Sequence, residues 1–255
     1  MKPDVYRTQH RGGVGVTGMT TKEEDAVKLI VTAETHDTLL VFSNKGRVFK
    51  LKVHELPESS RQAKGTNIVN LVNLGAEERL QTILTMNNDI ENKYIVLATK
   101  NGLVKKTTLA DFQNIRTNGI IAIILKKEDE LVWGKVTSGT DHLMLISRTG
   151  KSIRFPEDEI KTTARDTQGV RAISLKSGDE VIGVEALPDD KDLLKDTQLL
   201  LVTTNGMGKR SKLSEYPVQK RAGQGVKVGE ITKKTGDVAA AMSVNSSIQE
   251  IVLTT

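Results

Sequence analysis

The feature that most constrains this sequence is a pattern that occurs four times along its 255 residues. Each copy has an apolar, β-branched run, a short polar turn that ends in glycine, and a second β-rich run. This order is typical of a β-hairpin whose turn glycine adopts a positive φ angle. The copies occupy residues 38–52, 94–108, 143–157 and 199–213, and their turn glycines are Gly46, Gly102, Gly150 and Gly206. The pattern therefore predicts four hairpins of the same kind.

Each predicted hairpin is followed by a second glycine and by two further β-rich runs. The third run of a unit is exemplified by residues 66–74 and 170–176, and the fourth by residues 79–86, 131–137 and 180–187. Four strands at a period near 50 residues predict an all-β fold with radial repetition, in which each unit is a propeller-like blade. Helical periodicity is absent apart from short possible turns at residues 22–26 and 76–79. The second glycines are Gly65, Gly119, Gly169 and Gly225.

The repeat divides the chain into four complete units and parts of two others, which we interpret as a single domain that is incomplete at both ends. The partial units can complete one another and close a disc of about five blades, or the disc can stay open. The complete units are residues 37–89, 90–139, 140–192 and 193–247; residues 1–36 are the second half of a unit, and residues 248–255 are the first strand of another.

The composition argues against several classes of function. The chain has no cysteine, which excludes disulfides and thiolate metal sites, and its four histidines share no ligand spacing. No apolar run is long enough to span a membrane and no signal peptide is recognisable, so we expect a cytoplasmic protein with no membrane contact. The segment Gly150-Lys151-Ser152 has Leu145 where a P-loop has its first glycine. We therefore predict neither catalysis nor a cofactor or metal for this chain alone.

Basic residues recur around and after each hairpin turn. Residues 45–52, 100–106, 148–154 and 205–212 together hold 13 basic residues and no acidic ones. Radial symmetry would carry these positions around the outer edge of the disc, where they would neutralise phosphates of a duplex at regular intervals. An alternative is that they only solvate exposed edge strands.

An arginine also lies three or four residues before each second glycine, and Arg11 is its copy in the partial first unit. With the hairpin cations, these arginines predict a basic rim. The rim residues that we predict to contact DNA are Lys45, Arg47, Lys50, Lys52, Arg61, Lys64, Lys100, Lys105, Lys106, Arg116, Arg148, Lys151, Arg154, Arg165, Lys209, Arg210, Lys212, Lys220 and Arg221.

The hairpin repeat and the segment Gln9-His10-Arg11-Gly12-Gly13-Val14-Gly15 together resemble the C-terminal domain of DNA gyrase A subunits. The hallmark of that family is a seven-residue GyrA box, and His10 and Val14 stand where the family pattern has basic residues. The resemblance covers essentially the whole chain. It implies that Gln9, His10, Arg11, Gly12, Gly13, Val14 and Gly15 bind DNA. Because residues 2–15 align without a gap on residues 212–225, the box is one copy of a loop that every unit has.

The resemblance implies a β-pinwheel, which is a propeller-like disc whose blades exchange strands, and it implies that double-stranded DNA wraps around the rim. The implied partners are the rest of the gyrase A subunit, which carries the catalytic tyrosine, and the gyrase B subunit, which hydrolyses ATP with Mg²⁺. Neither activity is expected of this chain, and Tyr6, Tyr94 and Tyr216 lie in repeat strands or loops. Two alternatives stay open: the C-terminal domain of the A-type subunit of topoisomerase IV, and a propeller-like scaffold that binds proteins.

Overall fold

The structure is a computed structural model that describes residues 29–60, 63, 65–87 and 89–246. This part of the chain forms β-strands, one short α-helix and five single 3-10 turns. The strands are β1 (Thr38–Ser43), β2 (Arg47–Lys52), β3 (Leu80–Met86), β4 (Tyr94–Thr99), β5 (Leu103–Thr108), β6 (Ile120–Ile121), β7 (Leu131–Thr137), β8 (His142–Ser147), β9 (Lys151–Pro156), β10 (Val170–Arg171), β11 (Val181–Leu187), β12 (Gln198–Thr203), β13 (Gly208–Lys212), β14 (Val226–Lys227) and β15 (Val238–Val244); the helix is α1 (Lys191–Asp196). The 3-10 turns are Val53–Glu55, Ile68–Asn70, Leu109–Phe112, Glu157–Glu159 and Leu213–Glu215.

The strands form four antiparallel sheets with one plan. The first sheet has the order β3-β1-β2-β6, the second β7-β4-β5-β10, the third β11-β8-β9-β14, and the fourth, within the described residues, β15-β12-β13. Three of the predicted hairpins form the middle of a four-stranded sheet, and the fourth hairpin, β12-β13, has a further paired strand only beside β12 among the described residues. The strands β3, β7, β11 and β15 contact one another in that order and are therefore the inner strands, whereas β6, β10 and β14 form the outer edges. The predicted all-β, blade-like architecture is confirmed.

Neighbouring units exchange strands. The strand β6 belongs to the unit at residues 90–139, but it pairs with β2 of the preceding unit through Arg47 opposite Ile121 and Val48 opposite Ile120. The strands β10 and β14 pair with the preceding hairpins in the same way. Each complete sheet therefore combines three strands of one unit with the outer strand of the next, which is the exchange of a β-pinwheel.

The third run of each unit is shorter as a strand than its sequence predicts. Only two residues of the run 170–176 pair as a strand, and the run 66–74 contains the 3-10 turn Ile68–Asn70. The run crosses the edge of the preceding sheet and then turns inward, where the Ala122 amide donates to the Gly46 carbonyl at 2.8 Å. That crossing leaves room for only two paired residues.

The hydrophobic core lies between adjacent sheets. Between the first and second sheets, Phe42 and Phe112 are fully buried and meet edge to face, with ring centroids 6.1 Å apart and an interplanar angle of 62°. Similar clusters of mostly aliphatic residues fill the next two interfaces. Each of these three clusters draws on two units, whereas a fourth cluster, around Val41 and Phe49, lies within the unit at residues 37–89.

One short helix, α1, was not expected, because the sequence indicated possible helical turns only at residues 22–26 and 76–79. The Asp190 carboxylate accepts hydrogen bonds from the amides of Asp192 at 2.9 Å and Leu193 at 3.0 Å, and so caps α1 at its N-terminus. Residues 76–79 lie in a turn region without a helix, as predicted. The possible turn at residues 22–26, the strand at residues 248–255 and most of the unit at residues 1–36 lie outside the described residues.

Two turn glycines offer a matched test of how tightly the units pack. Gly46 has a φ of +78°, and an added Cβ would lie 2.5 Å from the carbonyl oxygen of Ile123 in the next unit. Gly206 has a φ of +75°, and none of the described residues lies within 4 Å of the same position. Both alanine variants suffer the backbone strain, but only Gly46→Ala adds the clash, so it should cost about 1–3 kcal/mol more in unfolding free energy. Urea denaturation measures this difference, and equal losses would contradict the packing described here.

Candidate nucleic-acid interface

The predicted DNA-binding residues divide into those that the structure describes and those outside it. The GyrA box at residues 9–15, together with Arg61 and Lys64, lies outside the described residues. That these nine residues bind DNA stays a prediction.

One group of predicted rim residues is exposed and unpaired. Lys45 lies in the turn between β1 and β2, Lys220 lies in the loop before Gly225, and β13 carries three further exposed cations. None of these side chains has a hydrogen bond or ion pair with another described residue, and the same holds for the half-buried Lys151 on β9. They can approach phosphates without giving up a protein contact. The three cations of β13 are Lys209, Arg210 and Lys212.

A second group of predicted rim residues joins neighbouring units through ion pairs. Lys100 Nζ lies 3.0 Å from Glu180 Oε2 of the next unit, and Arg148 Nη1 lies 3.4 Å from Asp237 Oδ2 of the next unit. The carboxylates belong to turns that precede inner strands, outside the basic segments. Lys100 and Arg148 therefore help to hold neighbouring units together. Their basic segments contain no acidic residue, and these carboxylate partners come from the next unit.

Cations of the first hairpin are also engaged by the protein. Arg47 Nη1 lies 2.7 Å from Glu78 Oε2, whose side chain is almost fully buried. Lys50 Nζ donates to the Gln113 carbonyl of the next unit at 2.8 Å, and Lys52 Nζ donates to a threonine hydroxyl of β1 at 2.9 Å. Each of these residues would have to share its charge between protein and DNA.

Three predicted rim residues are buried, and the prediction that they lie on an exposed rim is wrong. Lys105, Lys106 and Arg154 are only 2%, 5% and 8% exposed. Lys106 Nζ donates to the Glu157 carbonyl at 2.9 Å, and Arg154 Nε donates to His142 Nδ1 at 3.1 Å. The loop before the second glycine of the next unit passes over these strands and pairs with them through parallel β-bridges at Lys106 and Arg154. That loop covers the side chains.

Burial affects the protonation of Lys105 and of His142, the hydrogen-bond partner of Arg154. Burial lowers the pKa of Lys105 to about 8, because a charged ammonium loses its hydration there. Burial also lowers the pKa of His142, and the charge of Arg154 lowers it further, whereas Asp189 opposes the shift. The His142 ring is therefore neutral at pH 7, and its Nδ1 is free to accept the hydrogen bond from Arg154.

The loop arginines of three units are held differently. The Arg221 amide donates to Glu159 Oε2 at 3.0 Å, and its Nη1 donates to the Arg171 carbonyl at 3.0 Å. Arg116 is exposed and Arg165 is half-buried, and neither guanidinium has a partner among the described residues. Arg116 and Arg165 are therefore free to bind a ligand, whereas Arg221 supports its own loop.

Arg116 and Arg165 meet in one groove, although they come from successive units. The groove consists of two adjoining openings that share Gly119, Ile120 and Arg165. Asp166 is the only carboxylate that lines it among the described residues, and three arginines line it. Because Arg47 is paired with Glu78, it is Arg116 and Arg165 that leave the groove with an excess of positive charge, which favours an anion. We call it the arginine groove and define it by Arg47, Arg116, Gly119, Ile120, Ile121 and Arg165.

Two exposed cations of the outer edge were missed by the sequence analysis. Arg171 ends β10 and Lys227 ends β14, and both are exposed. Each lies two residues after a second glycine, but the same position holds Asn67 and Ile121 in the other two complete units, so the spacing gave no consistent signal for a cation there.

Other described groups have local roles. The Tyr216 hydroxyl lies 2.6 Å from Ser211 Oγ, and the Tyr94 ring lies 5.3 Å from Lys106 Nζ, whereas Tyr6 lies outside the described residues. Within the part of the chain that the structure describes, no three histidine or acidic side chains are grouped so that they could hold a metal ion. No helix in the same part is long and apolar enough to cross a membrane.

Sequence comparison identifies relatives of this arrangement. The family described as "DNA gyrase C-terminal domain, beta-propeller" matches residues 1–32, 37–85, 93–138, 141–188 and 197–245. The DNA gyrase A subunit of Staphylococcus epidermidis is 40% identical over 250 residues, which cover 98% of this chain and 28% of that protein. The DNA gyrase A subunit of Staphylococcus aureus is 40% identical over 251 residues, with the same coverage. The chain thus spans little more than a quarter of the length of these relatives.

Structural comparison agrees with the sequence match. A gyrase A C-terminal domain superposes with a TM-score of 0.83 and 27% identity, over 96% of this chain and 78% of that one. A topoisomerase IV C-terminal domain superposes with a TM-score of 0.72 and 30% identity, over 84% of this chain and 65% of that one. With the strand exchange and the rim described above, these matches place the chain in a family: it belongs to the DNA gyrase C-terminal domains.

Proposed function

We propose that this chain binds double-stranded DNA along the outer edge of its sheets and wraps the duplex around the disc, as the C-terminal domain of a DNA gyrase A subunit. The arginine groove is the observation that carries the proposal. It brings the unpartnered guanidinium groups of Arg116 and Arg165, from successive units, to one anion-binding surface at the outer edge. Phosphate contacts of this kind position a duplex without reading its sequence.

The energetics require many such contacts. Smooth bending of 20–30 base pairs by 40–90° costs on the order of 1–6 kcal/mol, and a longer wrap costs more. If about eight phosphates are neutralised, log affinity should fall against log salt with a slope of about −7. The exposed cations are spread over several sheets rather than gathered in one place, which suits a curved polyanion rather than a compact ligand.

The GyrA box is the second part of the proposed interface. Gln9 to Gly15 form a copy of the loop that contains Arg165 and Arg221, but Gly12 and Gly13 leave its backbone without side chains. Backbone amides there could approach a phosphate closely. His10 and Val14 replace basic residues of the family pattern, so we propose an anchor that depends more on the backbone and Arg11 than on total charge.

The chain would act within a larger enzyme in the bacterial cytoplasm. We propose that the rest of the A subunit, together with the B subunit, carries out strand passage and ATP hydrolysis with Mg²⁺, whereas this domain presents wrapped DNA to them. Its own role is to bind and bend the duplex, with no catalytic step.

Ligation of nicked circular DNA tests the proposal. The full 255-residue chain is incubated with the nicked circle, the nick is sealed, and the linking-number distribution is measured. A shift to positive writhe that grows with protein concentration is expected, and a distribution identical to the protein-free control would contradict wrapping. Equal affinity for duplex DNA and for polyglutamate of equal net charge would instead indicate a scaffold for acidic proteins or an unspecific basic surface.

A variant of the box tests whether the box acts as the anchor of the wrapped DNA. Arg11→Ala should abolish the linking-number shift while simple DNA binding persists. If Arg11→Ala wraps DNA as well as the unmodified chain does, the box does not act as the anchor.

A further inference from the structure

Lys105 is the most thoroughly buried cation among the described residues of the predicted rim. It lies on β5 and is 2% exposed. Its Nζ donates three hydrogen bonds of 2.8 Å, to Thr107 Oγ1, to the Ala122 carbonyl and to the Arg165 carbonyl. The ammonium therefore has no N–H left for DNA, and its role must lie in what these bonds hold.

Two of the three acceptors belong to the two sides of the arginine groove. Ala122 directly follows β6, whose residues line the groove, and Arg165 lies in the loop of the next unit that forms the opposite side. One side chain thus ties both walls of the groove to β5. A carbonyl bonded to a buried ammonium is fixed more firmly than one bonded to water, because no solvent competes there.

The equivalent loop of the last unit shows what happens without such a lysine. Ile153 occupies the equivalent position on β9 and cannot donate, and the Arg221 loop is held by Glu159 and by the Arg221 guanidinium itself. Asp111 stands at the position of Glu159 in the preceding unit, and no hydrogen bond joins it to the Arg165 loop among the described residues. Lys105 takes over that support, which leaves the Arg165 guanidinium free.

We propose that Lys105 is a positioning residue for DNA binding: by holding the Arg165 and Ala122 carbonyls, it sets the arginine groove so that Arg165 presents its guanidinium to a DNA phosphate. The inference rests on the proposed function, since it assigns a support to one contact of the wrapped duplex. Lys105 itself does not touch the DNA.

The hydrogen-bond set tolerates loss of the Lys105 proton. Burial holds the pKa near 8, while the charges of Asp166 and Asp111 raise it and that of Arg165 lowers it. A neutral amine keeps two N–H groups for the two carbonyls, and the Thr107 hydroxyl can donate to its lone pair. The groove therefore keeps its support on either side of pH 8, and DNA affinity should show no step there that depends on Lys105.

Removal of the ammonium tests the proposal in the full 255-residue chain. Lys105→Met keeps the length of the side chain without its donors, and Lys105→Ile supplies the residue that the next unit carries at this position. Either variant should weaken binding of a duplex about tenfold at low salt and lower the salt slope by about 0.9, which is the loss of one phosphate contact. Arg165→Ala should give the same two changes.

A double-mutant cycle separates positioning from general support of the fold. If Lys105 acts through Arg165, adding Lys105→Met to Arg165→Ala should change the affinity no further. A further tenfold loss in the double variant, or an unchanged salt slope in the single one, would overturn the inference. If Arg165→Ala alone leaves affinity and slope unchanged, the groove does not contact DNA, and the failure is that of the proposed contact.

The pH dependence of the unfolding free energy tests whether the Lys105 ammonium is buried in solution. The pKa of Lys105 is about 8 in the fold against 10.5 for the unperturbed side chain, so between these pH values the unfolded chain binds more protons. The unfolding free energy of the unmodified chain should therefore rise relative to that of Lys105→Met as the pH increases from 8 to 10.5. Parallel curves would show that Lys105 is not buried in solution and would overturn the inference.

Discussion

Replacing Arg116 and Arg165 together by alanine should weaken binding of duplex DNA by about 100-fold at low salt, because two charge-assisted contacts of about 1.5 kcal/mol each are lost. Neither guanidinium bonds a described residue, so the fold should lose little stability. The slope of log affinity against log salt should fall by about 1.8, since each phosphate contact contributes about 0.9. Fluorescence anisotropy of a labelled duplex over a range of salt concentrations measures both quantities.

The matched control removes the same charge elsewhere. Lys126 and Lys127 are exposed in the turn that precedes the inner strand β7, away from the outer edge. Lys126→Ala with Lys127→Ala should change affinity through net charge alone and leave the salt slope nearly unaltered. If both double variants lower affinity and slope alike, binding follows overall charge and the arginine groove has no special part in it.

Phe112→Ala should lower the unfolding free energy by about 3–5 kcal/mol, which is the usual cost of removing a fully buried phenylalanine. Phe112 lies in the 3-10 turn Leu109–Phe112 and packs edge to face on Phe42 of the first sheet. The cavity would therefore open between two units. Urea denaturation followed by circular dichroism measures the loss.

The control for this cavity is a substitution at an exposed apolar residue. Val69 is 56% exposed, and Val69→Ala should change the unfolding free energy by less than about 0.5 kcal/mol. A loss of less than about 1 kcal/mol for Phe112→Ala would show that the interface between the first and second sheets is not packed as described.

The hairpins could be predicted from the sequence because their signals are local. The turn glycine and the two flanking runs lie within 15 residues, and the four turn glycines adopt positive φ angles as expected. The sheet with which the third run of a unit pairs cannot be predicted from local sequence, because its partner strand is distant along the chain. The pairing of Ile121 with Arg47 joins residues 74 positions apart, and only the resemblance to a known family indicated the exchange.

The candidate site was harder to predict because a strand lysine looks the same in sequence whether it is exposed or covered. Lys105 and Lys209 follow their turn glycines by the same three residues, yet Lys105 is buried and Lys209 is exposed. The loop of the next unit covers Lys105, whereas no described strand pairs with the outer side of β13. Neighbouring elements, rather than the residue type or its spacing, decide which of these cations are exposed among the described residues.

Because the outer strand is exchanged, one repeat unit of the sequence does not form one sheet of the structure. Each complete sheet contains three strands of one unit and the outer strand of the next. Deleting a segment that runs from one point of a unit to the equivalent point of the next unit removes one hairpin and one outer strand together. Every remaining sheet then keeps its hairpin, its inner strand and its outer strand. The number of units can then change by duplication or loss of one such segment, and the remaining units can still pack through the same kind of interface between sheets. Under the proposed function, the arc available to a bound duplex would follow that number.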